Sequence, residues 1–137
     1  MLQLAKRMAT RHEDWLRQAK RDLEQAQHAT QGGFHEWACF ASQQAAEKAV
    51  KALYQKLGAE AWGHSVAAML AELPEEVAAS SELLDRAKSL DRHYISPRYP
   101  NSIPQGTPAD YYTGNDAGQA VQDAQAVITF CEDHILR

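Results

Sequence analysis

The chain has 137 residues, 45% of them apolar, and a formal charge of −4. That length suits one domain and leaves little room for two. The apolar content excludes a chain disordered by composition, and no uninterrupted run of ~18 apolar residues exists to span a membrane. Net negative charge argues against strong nonspecific nucleic-acid binding. The first eight residues lack the apolar run of a secretory signal, so the expected compartment is the cytoplasm. Charge is unevenly spread. Residues 99–136 hold five acids and no Lys or Arg, whereas the first 28 residues carry Lys6, Arg7, Arg11, Arg17, Lys20 and Arg21. Ordinary solvated helix faces would explain this as well as a functional asymmetry.

The first helix is expected from residue 3 or 10 to Thr30. Leu4, Met8, Trp15, Ala19, Leu23 and Ala26 form one apolar stripe, and Thr10 with Glu13 could cap a restart. Gln31-Gly32-Gly33 ends it. The second helix is expected from Phe34 to Leu57, with Gly58 as its stop. Placed 100° apart, its residues give two neighbouring apolar zones. One is Phe34, Trp37, Ala38, Ala41, Ala45, Ala49 and Ala52; the other is Cys39, Ala46, Val50, Leu53 and Leu57. They cover well over half the circumference, which predicts a helix in the middle of a bundle whose alanines let neighbours approach closely. The remaining stripe is polar: Gln44, Lys48, Lys51 and Gln55, with Glu47 beside them and paired i,i+4 with Lys51.

His64 and Ser65 open a short helix to Leu73. Ser80 or Ser81 starts a fourth, with Leu83, Ala87, Leu90 and Tyr94 on one face. Residues 96–114 contain Pro97, Pro100, Pro104 and Pro108, a density that predicts a long, partly rigid loop without regular helix. The fifth helix starts near Asn115 or Asp116 and buries Ala117, Val121, Ala124, Ile128, Cys131 and Ile135. The absence of β-branched alternation leaves no strand. The expectation is a single all-α domain over 1–137, an up-and-down bundle of about five helices with its core in 12–136. Cys39 and Cys131 lie far apart on helices and read as buried free thiols.

Several strings resemble one family. They are Trp15-Leu16-x-x-Ala19-x-x-Asp22-Leu23, Cys39-Phe40-x-Ser42-Gln43-Gln44-Ala45-Ala46-Glu47-Lys48-Ala49-x-Lys51-Ala52-Leu53, His64-Ser65, and Tyr94-Ile95-x-x-Arg98-Tyr99-Pro100. Together they resemble the HEPN domain family, small helical proteins often encoded beside a minimal nucleotidyltransferase, over about residues 12–136. The resemblance implies a homodimer similar to the C-terminal helical domain of kanamycin nucleotidyltransferase. It implies one of two roles. The first is binding and interaction, with a nucleotide, an RNA or a minimal nucleotidyltransferase as partner. The alternative is a metal-independent endoribonuclease toxin of a HEPN–nucleotidyltransferase toxin–antitoxin pair. No cofactor is implied.

Ribonuclease members of the family carry an Arg followed, after four to six residues, by a His. Arg can stabilise charge on a phosphate and His can move protons near neutral pH. Arg86 and His93 fit that spacing formally, on one side of the fourth helix with backbones about 10 Å apart along its axis. The family's motif normally sits near the start of the last long helix, where Arg98-Tyr99-Pro100-Asn101 stands and no His follows within six residues. The catalytic candidates are therefore Arg98, His93, Arg86 and Tyr94. Arg98, held between prolines beside Tyr99, could fork onto a phosphate; it could equally anchor the loop to Glu47 or Asp91. The Gln44, Lys48 and Lys51 stripe could bind a nucleotide phosphate, or Glu47 and Lys48 could belong to a buried or interfacial polar network that fixes a dimer register. His64 could be a ligand or a cap. No His, Cys or acidic residues share metal-ligand spacing, so no metal is expected.

Overall fold

The computed structural model describes residues 11–137, and its described residues form six α-helices and no strand. They are α1 (His12–Gln31), α2 (His35–Lys56), α3 (Val66–Ala71), α4 (Ser81–Asp91), α5 (Pro108–Tyr111) and α6 (Gly114–Ile135). Single 3-10 turns lie at Glu75–Val77, Ser96–Arg98 and Pro100–Ser102. The proposed restart at Thr10 and the apolar positions Leu4 and Met8 lie outside the described residues.

Helix α2 is the axis of the bundle. Buried residues occur round most of its girth, from Ala38 and Cys39 through Ser42, Gln43, Ala45, Ala46 and Glu47 to Leu53. It packs along α1 and α6 and also touches α3, α4, α5 and the turn at Ser96–Arg98. Of the alanines predicted to permit this, Ala38, Ala45, Ala46, Ala49 and Ala52 are fully buried and Ala41 is half-buried. The hairpin from α1 into α2 turns at Gly33, whose φ of +81° suits a residue without Cβ. Cys39 and Cys131 are buried free thiols, as read from their helical positions. Burial pushes the Cys39 thiol up to about 12, with the nearby Asp116 and Glu36 charges adding to the rise.

The helix starts follow capping chemistry. Ser65 Oγ accepts from Ala68 N at 3.1 Å, and Ser80 Oγ accepts from Leu83 N at 3.1 Å. Thr113 and Asp116 form a reciprocal capping box that starts α6 at Gly114, one or two residues before the expected position.

Two expectations need correction. The proline-rich segment holds a short helix, α5, because Pro108 occupies its first turn, where the missing N–H has no helical partner to lose. A Thr107–Asp110 capping box closes the same N-terminal end, and the two Thr107 hydrogen bonds hold the Asp110 carboxyl below its ordinary range. The fourth helix ends at Asp91, so His93 and Tyr94 belong to the turns that follow rather than to its face. There the His93 N–H donates to Leu90 O at 2.9 Å.

Candidate functional site

Arg98 is positioned from behind by its backbone. Pro97 is buried, and the Arg98 N–H donates to Ile95 O at 3.0 Å. Ser102 Oγ ties the following turn back by donating to Ser96 O at 2.8 Å. The Arg98 Nε–H donates to Tyr94 O at 2.8 Å. Its guanidinium carbon lies 4.5 Å from the Phe40 ring centroid, 4.8 Å from Tyr94 and 5.4 Å from Tyr99. Aromatic faces orient the cation by their quadrupoles.

Neither acid expected to anchor Arg98 does so. Asp91 caps α3 instead, accepting from Val66 N at 2.7 Å, Ser65 Oγ at 2.8 Å and Ala67 N at 3.2 Å. Glu47 is engaged elsewhere. Among the described residues, no carboxylate pairs with Arg98, so its terminal amino groups keep their donors for another anion.

The second half of the site forms around Glu47, whose side chain is only 7% exposed. Its carboxylate accepts from His64 Nδ1 at 3.0 Å, Lys51 Nζ at 3.2 Å and Gln43 Nε2 at 3.3 Å. Gln43 Nε2 also donates to His64 O at 2.9 Å, so the backbone and ring of His64 are both held from α2. A carboxylate can only accept, which places a proton on Nδ1, so that in the neutral ring Nε2 is the nitrogen with a free lone pair. Slightly over half of the His64 side chain is exposed.

Tyr94 joins the two halves. The His64 ring stacks on it at 4.3 Å and 17°, and the Arg98 guanidinium approaches the same ring. Arg98 and His64, 34 positions apart in sequence, are thus separated by no more than the sum of their two distances to that ring. Trp37 continues the aromatic strip edge-on to Phe40 at 6.3 Å.

The remaining candidates fall outside this group or hold it from below. Gln44 Nε2 donates to Gln43 Oε1 at 2.8 Å. Lys48 pairs with Asp22 of α1 at 2.5 Å, and Lys51 reaches over Trp15 while pairing with Glu47. The polar stripe of α2 is therefore largely an internal network. Arg86 and His93 do not converge. Arg86 crosses to α6 and pairs with Asp123 at 2.9 Å, and His93 turns towards Tyr112, the ring centroids 5.8 Å apart. Their sequence spacing is real, but the helix that would have aligned them stops at Asp91. Phe40 and Gln43 are the contributors to the site that the sequence did not single out as such.

Two stability predictions arise here. Asp123 is almost fully buried, with Gln119 as its other partner at 2.9 Å. Replacing Arg86 by Ala leaves that carboxylate without its cation, a loss of about 3 kcal/mol. Thermal unfolding should move down by roughly 10 °C; a shift of only a degree or two would show Asp123 to be solvated.

His93 gives a pH effect. Burial lowers its imidazole below the ordinary 6.5, outweighing the upward pull of Asp116 and Asp123, and Arg92 adds to the lowering. Its Nδ1 is buried and finds no hydrogen-bond partner among the described residues. A depressed histidine stabilises the fold fully above the unfolded value, and this contribution is lost as pH falls through the folded value. His93→Gln should therefore flatten the fall in melting temperature below pH 6.5. An unchanged slope in the variant would contradict this.

Comparison with known proteins agrees with the geometry of the bundle. The family profile described as HEPN domain spans residues 12–134. A Methanocaldococcus jannaschii protein named "Putative toxin MJ1304" is 27% identical over 130 residues, covering 88% of this chain and 86% of its own length. The crystal structure of TT1696 from Thermus thermophilus is 45% identical with a TM-score of 0.89, covering 90% of this chain and 98% of that one. ST0689, an archaeal HEPN homologue, is 42% identical with a TM-score of 0.78, covering 92% and 98% respectively. The HEPN domain protein tm0613 from Thermotoga maritima is 44% identical with a TM-score of 0.74, covering 90% and 98%. With the profile spanning nearly the whole chain and structural relatives at this identity, the chain belongs to the HEPN domain family.

Proposed function

We propose that this HEPN protein binds single-stranded RNA at Arg98 and cleaves it without a metal ion, with His64 as the proton-transfer group. The observation that carries the reading is the pairing of a carboxylate-oriented imidazole with an unneutralised guanidinium about one aromatic ring. Arg98 would hold the scissile phosphate in its fork while the rings of Tyr94, Tyr99 and Phe40 keep it aimed. His64 Nε2 would take the proton of the adjacent 2′-hydroxyl. The 2′-oxygen then bonds to phosphorus, and the bond from phosphorus to the 5′-oxygen breaks. The imidazolium returns its proton, directly or through water, to that 5′-oxygen. The products are a 2′,3′-cyclic phosphate and a 5′-hydroxyl. One relative is named a "Putative toxin", and cutting RNA is one way a protein is toxic.

A homodimer is part of the proposal. Phe34, Trp37, Ile95 and Tyr99 are large apolar residues left exposed near the site, an arrangement suited to a second copy. The same strip favours a second reading, in which the protein does not cut RNA and presents this surface to a minimal nucleotidyltransferase. Incubation of purified, folded protein with single-stranded RNA and a chelator separates the two. Fragments ending in cyclic phosphate are expected, and intact RNA would leave the binding reading.

A further inference from the structure

Beside the Glu47–His64 pair lies a cleft of about 190 Å³ lined by Trp15, Lys51, Gln55, Glu60, Ala61 and Trp62. We propose that this cleft takes a guanine base of the bound RNA and sets where the strand is cut. The inference rests on the reading of Arg98 as the phosphate-binding residue and adds the base that accompanies that phosphate.

The composition of the cleft suits a nucleobase. Trp15 and Trp62 offer two indoles for stacking, and Trp62, 82% exposed, does little for the core. Lys51 bonds Glu47 and lies 5.9 Å from the Trp15 ring centroid, so it retains donors on the cleft side. Glu60 supplies a carboxylate and Gln55 an amide. Guanine alone among the four bases carries an acceptor edge, O6 and N7, that a lysine ammonium satisfies. It also carries adjacent N–H donors at N1 and N2 that a carboxylate can accept together. Adenine would turn an amino donor towards Lys51, and pyrimidines offer less surface to the indoles.

The cleft is also in register with the proposed chemistry. Lys51 is one helical turn beyond Glu47 on α2, about 6 Å along the axis. Trp62 and His64 flank Gly63 on a single loop, and Gly63 has a φ of +90°, a conformation open to glycine and strained for other residues. That loop carries a base-stacking group and a proton-transfer group two residues apart, a spacing on the scale of one nucleotide.

The test uses two short 2′-O-methyl RNAs, which cannot be cut through their own 2′-oxygen. Both are uridine runs, one with a central guanosine and one with a central adenosine. Binding is measured with the full chain, with Trp62→Ala, with Glu60→Gln and with Arg98→Ala, each checked for native helix content. Wild type should prefer the guanosine strand by about tenfold. Trp62→Ala and Glu60→Gln should each remove the preference, and Arg98→Ala should weaken both strands alike. Equal affinity of wild type for the two strands, with Arg98→Ala still weakening both, overturns the guanine cleft and leaves the Arg98 reading standing. A preference that survives both cleft substitutions also overturns it. No effect of Arg98→Ala on either strand removes the reading beneath it.

Discussion

Replacing His64 by Ala should reduce RNA cleavage by about 10²- to 10⁴-fold, the usual contribution of a positioned proton-transfer group. RNA affinity should change little, because the variant keeps Arg98 and its aromatic surround. The ring is more than half exposed and its removal opens no core cavity, although Glu47 loses one of three donors. Glu47→Gln is a milder probe of the same pair. An amide oxygen can still accept from Nδ1, but it no longer stabilises a cationic imidazole, so cleavage should fall by less than in His64→Ala. Equal cleavage by wild type and His64→Ala would show that the stacking on Tyr94 is structural.

Arg98→Ala should weaken both binding and cleavage. The guanidinium is the one cation at the aromatic centre without a carboxylate among the described residues, and a charge-assisted bidentate contact with phosphate is lost with it. A loss of about 10²-fold or more in cleavage is expected, of the size seen when a donor to developing charge is deleted. Arg98→Lys should recover only part of it. An ammonium lacks the planar fork that lets Arg98 donate from Nε to Tyr94 O while its two terminal amino groups face one phosphate. Full recovery with lysine would mean that charge alone matters and that the orientation set by Phe40, Tyr94 and Tyr99 does not.

Much of the fold is written locally. The alanine zones of α2 predict its central place because burial on all sides requires small residues round the helix, and Ser80 and Gly32 punctuate helices by chemistry confined to a few positions. Arg98 is also legible, since prolines on both sides mark a backbone held out of helix. The grouping of Arg98 with His64 is not. It depends on a carboxylate 17 residues before His64 and a tyrosine 30 residues after it, brought together only when α2, the 59–65 loop and the turn after α4 pack. Arg86 and His93 match the family's spacing only formally, and the match assumes one continuous helix. A stop at Asp91, and the use of that residue to cap α3, sends the two side chains to different neighbours.

The most direct test of the central claim compares cleavage rates in chelator for wild type, His64→Ala, Arg98→Ala and the double variant. Residues that act on one phosphate as a unit give strongly non-additive losses. The double variant should be no slower than about the worse of the two single variants. Losses that multiply, or a wild type that leaves RNA intact, would contradict a single catalytic site built from Arg98 and His64.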